Sequence, residues 1–330
     1  MNMLNKDAKL SKNAFLSDIT RLPTRDGFGT GVIIAGRADS RVVVLSADLK
    51  ESTRAEEFEK EFPARFVEMG IAEQNMASCA SGLAAAGKVP FATSYACFNP
   101  GRNYEQIRTT IALNRSNVKI CGMHAGVSVG PDGATHQMLE DIGMMRMLPG
   151  MLVLVPGDAL EAEKATVAAA AYDGPVYLRF GRAATPLFTT AETPFALGKA
   201  LTLFESDAPQ IALVSTGALS HAALVAARAL EADGLGTLVL HVPTVKPLDE
   251  DAVLAVARRA GRVLTIEEHQ IAGGFGSAVA ELLAERRPTL LRRLGIADTF
   301  GQSGTPDELL VHYGLDASSI ALAARALASL

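Results

Sequence analysis

Three cysteines among 330 residues are too few for a disulfide framework. Cys79, Cys97 and Cys121 sit among apolar neighbours without the pair spacing of a metal site, so reduced core thiols with no chemistry are expected. No apolar run approaches the ~18 residues that a membrane span requires. Residues 1–17 carry Lys6, Lys9 and Lys12 but no apolar centre, unlike a signal peptide, and a cytoplasmic protein without membrane partners is expected. Nor is there a basic stripe. With net charge −5, a pI near 5.7 and scattered Lys and Arg, a nucleic-acid surface is excluded, and any anionic ligand must be met by local, placed cations. Internal repeats and low-complexity tracts are absent too.

What is present suits a large core. The chain is 48% hydrophobic and 20% charged, and at roughly 150 residues per domain it should form two domains. After a polar lead, strand signals at 41–46, 91–95, 118–123, 151–155 and 176–180 alternate with helices around 103–114 and 159–171. Continuous Val, Ile and Leu runs between helices imply a parallel sheet covered on both faces. Residues 1–188 are assigned to this first α/β domain. The Thr-, Pro- and Gly-containing stretch 189–198 lacks periodicity and reads as a linker. Residues 199–330 alternate again and form a smaller α/β domain, with strands at 210–215, 237–242, 262–267 and 289–295.

Glu73 is the most informative residue. A short apolar strand, 66–69, ends at Gly70. Met76, Cys79, Ala80, Leu83 and Ala84 then recur at helical spacing until Gly87-Lys88-Val89-Pro90 stops the run. Glu73 therefore falls in the first helical turn, where the helix dipole favours an acid by about 0.3 to 1 kcal/mol. The apolar flanks leave its carboxylate little water.

Other polar residues gather at predicted strand ends, where open α/β sheets bind ligands. Arg25 comes just before the first helix, and Asp48 and Ser52 follow the strand at 42–45. Tyr95, Phe98, Arg102 and Tyr104 follow 91–95; His124, Asp132 and His136 follow 118–123; Arg182 follows 176–180. His124 and His136, twelve positions apart, have no third ligand at zinc-like spacing. An acid between two histidines suits a polyhydroxylated substrate equally well, and no metal is assigned to this chain. His221, which opens a helix of the second domain, is expected at the surface.

Five segments together resemble the transketolase family: Asp48 in Leu-Ser-Ala-Asp-Leu, Gly70-Ile71-Ala72-Glu73-Gln74-Asn75-Met76, Gly101-Arg102-Asn103-Tyr104-Glu105-Gln106-Ile107-Arg108, Asp132-Gly133-Ala134-Thr135-His136-Gln137, and Glu267-Glu268-His269-Gln270-Ile271-Ala272-Gly273-Gly274. The likeness runs from about residue 24 to about 315 and matches the middle and C-terminal domains of a full-length member. It implies an α/β fold: a thiamine-diphosphate-binding-fold pyrimidine domain, a parallel sheet with helices on both faces, followed by a smaller transketolase C-terminal domain. It also implies a transferase that moves a two-carbon ketol unit from a ketose phosphate to an aldose phosphate.

Residue by residue, the resemblance implies that Glu73 hydrogen-bonds N1′ of the cofactor's aminopyrimidine. Phe98 would stack on that ring with Tyr95 and Tyr104 nearby, and Asp48 and Arg102 would complete the cofactor set. Asp132 would accept a hydrogen bond from a sugar hydroxyl, and His136 would bind the C1 hydroxyl and donor carbonyl and shuttle protons. Arg25, Ser52, His124 and Arg182 would gather on the terminal phosphate, a group suited to guanidinium forks.

The family's diphosphate and metal site carries Gly-Asp-Gly followed further on by Asn. This chain has no Gly-Asp-Gly, and no Asn occurs after Asn117. The expectation is a split enzyme: the diphosphate end, with Mg2+ or Ca2+, is held by a separate N-terminal subunit, two copies of each chain form an A2B2 heterotetramer, and this chain alone is inactive. The β-subunit of a 2-oxo acid dehydrogenase E1 component is the alternative, but it would leave Arg25, Ser52, His124 and Arg182 without a phosphate. Deoxyxylulose-phosphate synthase shares Gly-Ile-Ala-Glu-Gln but is normally one long chain. A non-catalytic relative would have no use for Glu73. Glu267-Glu268-His269 and Gly273-Gly274-Phe275-Gly276 end a strand and open a helix; a structural or dimer-contact role is preferred there to an anion-binding turn. General pentose-phosphate flux and a dedicated sugar pathway both remain open.

Overall fold

The computed structural model describes residues 3–330. Its strands, in chain order, are β1 (Arg21–Pro23), β2 (Val42–Ser46), β3 (Phe66–Glu68), β4 (Val89–Tyr95), β5 (Lys119–Met123), β6 (Leu152–Leu154), β7 (Val176–Arg179), β8 (Ala184–Pro186), β9 (Leu201–Glu205), β10 (Ile211–Ser215), β11 (Thr237–His241), β12 (Thr244–Lys246), β13 (Arg262–Gln270) and β14 (Leu290–Ile296). Seven form one sheet in the order β12-β6-β7-β5-β4-β2-β3, and five form a second in the order β14-β13-β10-β11-β9. Both are parallel except at one edge each, where β12 and β9 run antiparallel to their neighbours. β1 and β8 make a small antiparallel ribbon.

The runs without a polar face explain the parallel sheets. β2 is buried at all five positions. Its Val42 and Val44 face Phe28, Phe91 and Leu178, while Val43 and Leu45 face Met76 and Ile120 on the opposite side. Helices therefore cover both faces. The Ala-rich packing is tightest between helices: Thr24–Ala38 lies against Ala159–Ala171 so closely that a Cβ on Gly27 would stand 1.9 Å from the Ala159 carbonyl oxygen.

Several sequence-based expectations change. The strand before Glu73 is an edge strand with Val67 38% exposed, so the apolar flank comes from β2 and the helix, not from β3. Arg25 lies inside the first turn of helix Thr24–Ala38, because Pro23 supplies the extended residue that starts it. The helix expected at 103–114 is a short turn, Tyr104–Gln106, followed by a π-helical segment, Ile107–Ala112. Only Cys121 is fully buried, although all three cysteines are free. His221 is half-buried against Phe188, its Nε2–H donating to the Ala14 carbonyl at 2.8 Å.

The two halves are joined by more than a linker. β12, from beyond residue 198, covers the open edge of β6 in the first sheet, which removes an exposed row of backbone donors and acceptors. One apolar cluster runs from Leu45 and Met76 through Val153 to Leu240, Val263 and Phe275. Among the described residues no helix is long and apolar enough to cross a membrane.

Candidate active site

The C-terminal ends of β4, β5 and β7, and the turns after β2 and β3, bring one polar cluster together. Glu73 is the first residue of helix Glu73–Ala85 and is 1% exposed. Its Oε2 accepts from Arg102 Nη1 at 2.7 Å, its Oε1 lies 3.4 Å from Ser94 Oγ, and its backbone carbonyl accepts from Asn103 Nδ2 at 3.0 Å. Asn103 also donates to Asn99 Oδ1, and Asn99 to the Ala92 carbonyl, so two buried amides brace the loop after β4. The Arg102 guanidinium lies 4.5 Å from the centre of the Phe98 ring. A flat cation is thus held by a buried carboxylate and an aromatic face, while Arg102 itself stays 43% exposed.

Tyr95 stacks on His124 with ring centres 3.9 Å apart and lies nearly parallel to Phe98 at 6.1 Å. His136 meets Phe98 edge-on at 5.6 Å, and its Nδ1 lies 2.9 Å from Thr135 Oγ1. Tyr104 does not join this group. Its hydroxyl donates to the Met144 carbonyl at 3.1 Å and its ring packs on the core.

Beside the aromatic group is a cationic one. Arg25 Nη1 donates to the Ser52 carbonyl at 2.9 Å and to His124 Nε2 at 3.2 Å. Because Arg can only donate, Nε2 accepts and the hydrogen of neutral His124 sits on Nδ1. That buried Nδ1 and Arg25 Nε have no hydrogen-bond partner among the described residues. Burial, with Arg25 and Arg182 close by, pushes the His124 pKa down to about 3, so the ring is neutral at physiological pH. Burial and then Arg54 also lower Arg25 from the ordinary guanidinium range. Arg54 pairs with Asp26 at 2.6 Å and Arg182 with Asp132 at 3.0 Å. Among the described residues Arg25 has no carboxylate partner.

Some expected roles shift with this geometry. Ser52 presents its carbonyl to Arg25 instead of its hydroxyl. Asp132 and Arg182, assigned from sequence to different parts of a substrate, bond each other. Asp48 is exposed in the left-handed region, with its N–H donating to Glu68 Oε1 at 2.8 Å. Ser94, Asn99 and Arg54 went unnoticed in the sequence, and Asn103, although inside a family-like segment beside Arg102, was given no role. The possible anion turn at Gly274–Gly276 is filled from within, since Glu267 accepts from Phe275 N at 2.6 Å and Gly276 N at 2.7 Å. Cys97, near this site, carries no reactive thiolate: burial pushes its pKa up to about 12.

Residues 20–186 match the transketolase pyrimidine-binding domain, and residues 198–320 match the transketolase C-terminal domain. The chain belongs to the transketolase family. Among transketolase relatives it is 39% identical over 300 residues to the 6-deoxy-6-sulfo-D-fructose transketolase subunit SqwH of Clostridium sp. (strain MSTE9), covering 91% of this chain and 92% of that one. It is 38% identical over 297 residues to one subunit of the apulose-4-phosphate transketolase of Phocaeicola vulgatus, covering 90% of this chain and 94% of that one. A solved split-gene transketolase, described as an inactive β4 tetramer, superposes with TM-score 0.87 at 40% identity, covering 94% of this chain and 99% of that one. Relatives of about this chain's length that are themselves transketolase subunits favour this family over a 2-oxo acid dehydrogenase β-subunit. Transketolase membership also implies thiamine diphosphate as the cofactor.

Proposed function

We propose that this chain is the pyrimidine-binding subunit of a two-subunit transketolase, which transfers a two-carbon ketol unit from a ketose phosphate to an aldose phosphate. The observation that carries this reading is the place of Arg102. A planar, nitrogen-rich cation lies between the carboxylate of Glu73 and the face of Phe98, and a protonatable aminopyrimidine asks for the same two surfaces. The residues present therefore fit the cofactor. When bound, thiamine diphosphate supplies the carbon centre that takes up the two-carbon unit and holds its electrons until transfer.

Glu73 would share a hydrogen with the ring nitrogen, and its burial keeps water from competing for that bond. Phe98 would carry the ring, backed by Tyr95. Arg102 must first release Glu73, and its exposure gives it solvent to move into. Asp48 would stand at the open side of the pocket. Tyr104 is omitted from the contacts because its hydroxyl is engaged elsewhere.

On the substrate side, His136 would hold and move the proton of the C1 hydroxyl, and Asp132 would accept from a neighbouring hydroxyl. Arg25, Arg182 and the unpartnered His124 Nδ1–H would meet the terminal phosphate, with Ser52 steadying Arg25. An unneutralised guanidinium with its own Nε unpartnered, beside the orphaned His124 Nδ1, favours an oxyanion there. A terminal sulfonate, of the kind named for the Clostridium relative, would meet the same donors.

The diphosphate and a divalent cation, Mg2+ or Ca2+, are assigned to a separate N-terminal subunit, in a heterotetramer with two copies of each chain and a cytoplasmic location. Within this chain the pyrimidine-binding region is placed at 1–188 and the C-terminal domain at 199–330, joined by 189–198. The test is reconstitution with a Gly-Asp-Gly-bearing N-terminal transketolase subunit and thiamine diphosphate. The mixture should convert D-xylulose 5-phosphate plus D-ribose 5-phosphate, should ignore pyruvate, and should lose turnover when either chain is omitted. Pyruvate turnover without sugar turnover would defeat the proposal.

A further inference from the structure

Glu268 lies in β13 of the second sheet, and its side chain reaches a loop 140 residues earlier in the chain: Oε1 accepts from the backbone N–H of Ser128 at 2.6 Å, in buried surroundings. Ser128 belongs to the one-turn helix Val127–Val129, whose first N–H groups have no partner within the turn. The loop from 124 to 137 carries His124, Asp132 and His136. It lies flat on the carboxylate at Gly126, where a Cβ would stand 2.3 Å from Glu268 Oε1 and where φ is +90°. Both crowding and backbone conformation therefore require glycine at that contact.

The same residue grips a second strand end. The backbone carbonyl of Glu268 accepts from Arg179 Nη2 at 2.8 Å, and Arg179 Nε donates to Asp141 Oδ2 at 2.7 Å. Tyr177 donates to that oxygen as well, at 2.7 Å. Arg179 ends β7, three residues before Arg182. Gln137 adds a nearby tie, donating to the carbonyls of Val127, Gly130 and Gln302, the last in the C-terminal domain.

We infer that Glu268 is a positioning residue of the active site, through which the C-terminal domain sets the placement of Asp132, His136 and Arg182. A carboxylate suits this work because a charged acceptor binds a backbone N–H more strongly than a neutral one. Its fixed attachment to β13 gives the loop a reference point outside its own sheet. The inference rests on reading the 124–137 loop as the sugar-binding loop.

Three variants, Glu268→Ala, Glu268→Gln and Gly126→Ala, test it in the complex reconstituted with the N-terminal subunit and thiamine diphosphate. The donor is D-xylulose 5-phosphate and the acceptor D-ribose 5-phosphate. Per assembled complex, Glu268→Ala should lower kcat/KM by ~100-fold, the scale of an ångström-sized misplacement of reacting groups, through both a higher ketose KM and a lower kcat. Glu268→Gln, which still offers an acceptor, should recover to within ~10-fold of wild type. Gly126→Ala should reproduce the alanine loss with Glu268 intact. Amide hydrogen exchange across 126–137 should quicken in Glu268→Ala. Unchanged kinetic constants per assembled complex, or losses that follow only the fraction assembled, would overturn the inference. So would unchanged exchange in that loop, even if the wild-type complex proved inert on these sugars, a result that would separately remove the transketolase reading.

Discussion

Glu73 and His124 are both about 1% exposed, yet the site treats them oppositely. Glu73 has a cation beside it and His124 has cations that repel its charged form. An unfolded histidine takes up its proton near 6.5, whereas folded His124 does so only at about 3. Between those values the unfolded chain binds more protons than the folded one, so stability falls as pH drops from about 6.5 toward 3. Urea midpoints should therefore decline less between pH 7 and pH 5 in His124→Phe than in wild type. Equal declines would show that His124 is not the group responsible. Arg182 makes a different prediction. Its guanidinium is one of the proposed phosphate donors, and Arg182→Ala should raise KM for phosphorylated ketoses by about 10-fold or more, and far less for unphosphorylated ones, which feel only the loss of its bond to Asp132. An equal rise for both would move Arg182 out of the phosphate site.

At the level of elements, what was legible depended on how local the cause was. Helix Ala159–Ala171 was placed from sequence, and its cause is local: it begins after Asp158, whose side chain accepts from Glu161 N. Helix Glu73–Ala85 and the buried strand β2 were equally plain. β12 was not, since three residues, Thr244–Lys246, owe their strand state to the open edge of β6. The contact of Glu268 with Ser128, the carbonyl of Ser52 on Arg25 and the tie of Tyr104 to Met144 likewise arise only once distant segments meet. Close approach of helices is also a tertiary property. Gly27 sits on Ala159 with no room for a Cβ, and Gly27→Ala should destabilise by about 1–3 kcal/mol despite its better helix propensity. A lowered urea midpoint with an unchanged slope is the expected signature. A raised midpoint would mean that the helices can part without loss.

Over the whole molecule, one apolar cluster spans both sheets while each keeps a cluster of its own on the far face, and buried polar bridges join the two halves. His241 Nε2 meets Glu161 Oε2 at 2.7 Å, and Ser220 Oγ lies 2.6 Å from His241 Nδ1. That serine, histidine and glutamate mimic a hydrolytic triad, but all three are buried, so they hold the halves together without offering a nucleophile to substrate. The same packed joint carries Glu268 to Ser128 in the loop proposed to bind sugar. In the proposed enzyme, half of the active site would lie on this chain and half on a partner, with Glu73 as this chain's contact to the cofactor they share. The most direct measurement is sugar-phosphate turnover by the reconstituted complex with wild-type chain and with Glu73→Ala. Wild type should be active only with both chains and thiamine diphosphate present, and Glu73→Ala should fall by at least ~100-fold, the scale of losing a proton-transfer group. Turnover by the alanine variant at the wild-type rate, or by the wild-type complex without the cofactor, would contradict it.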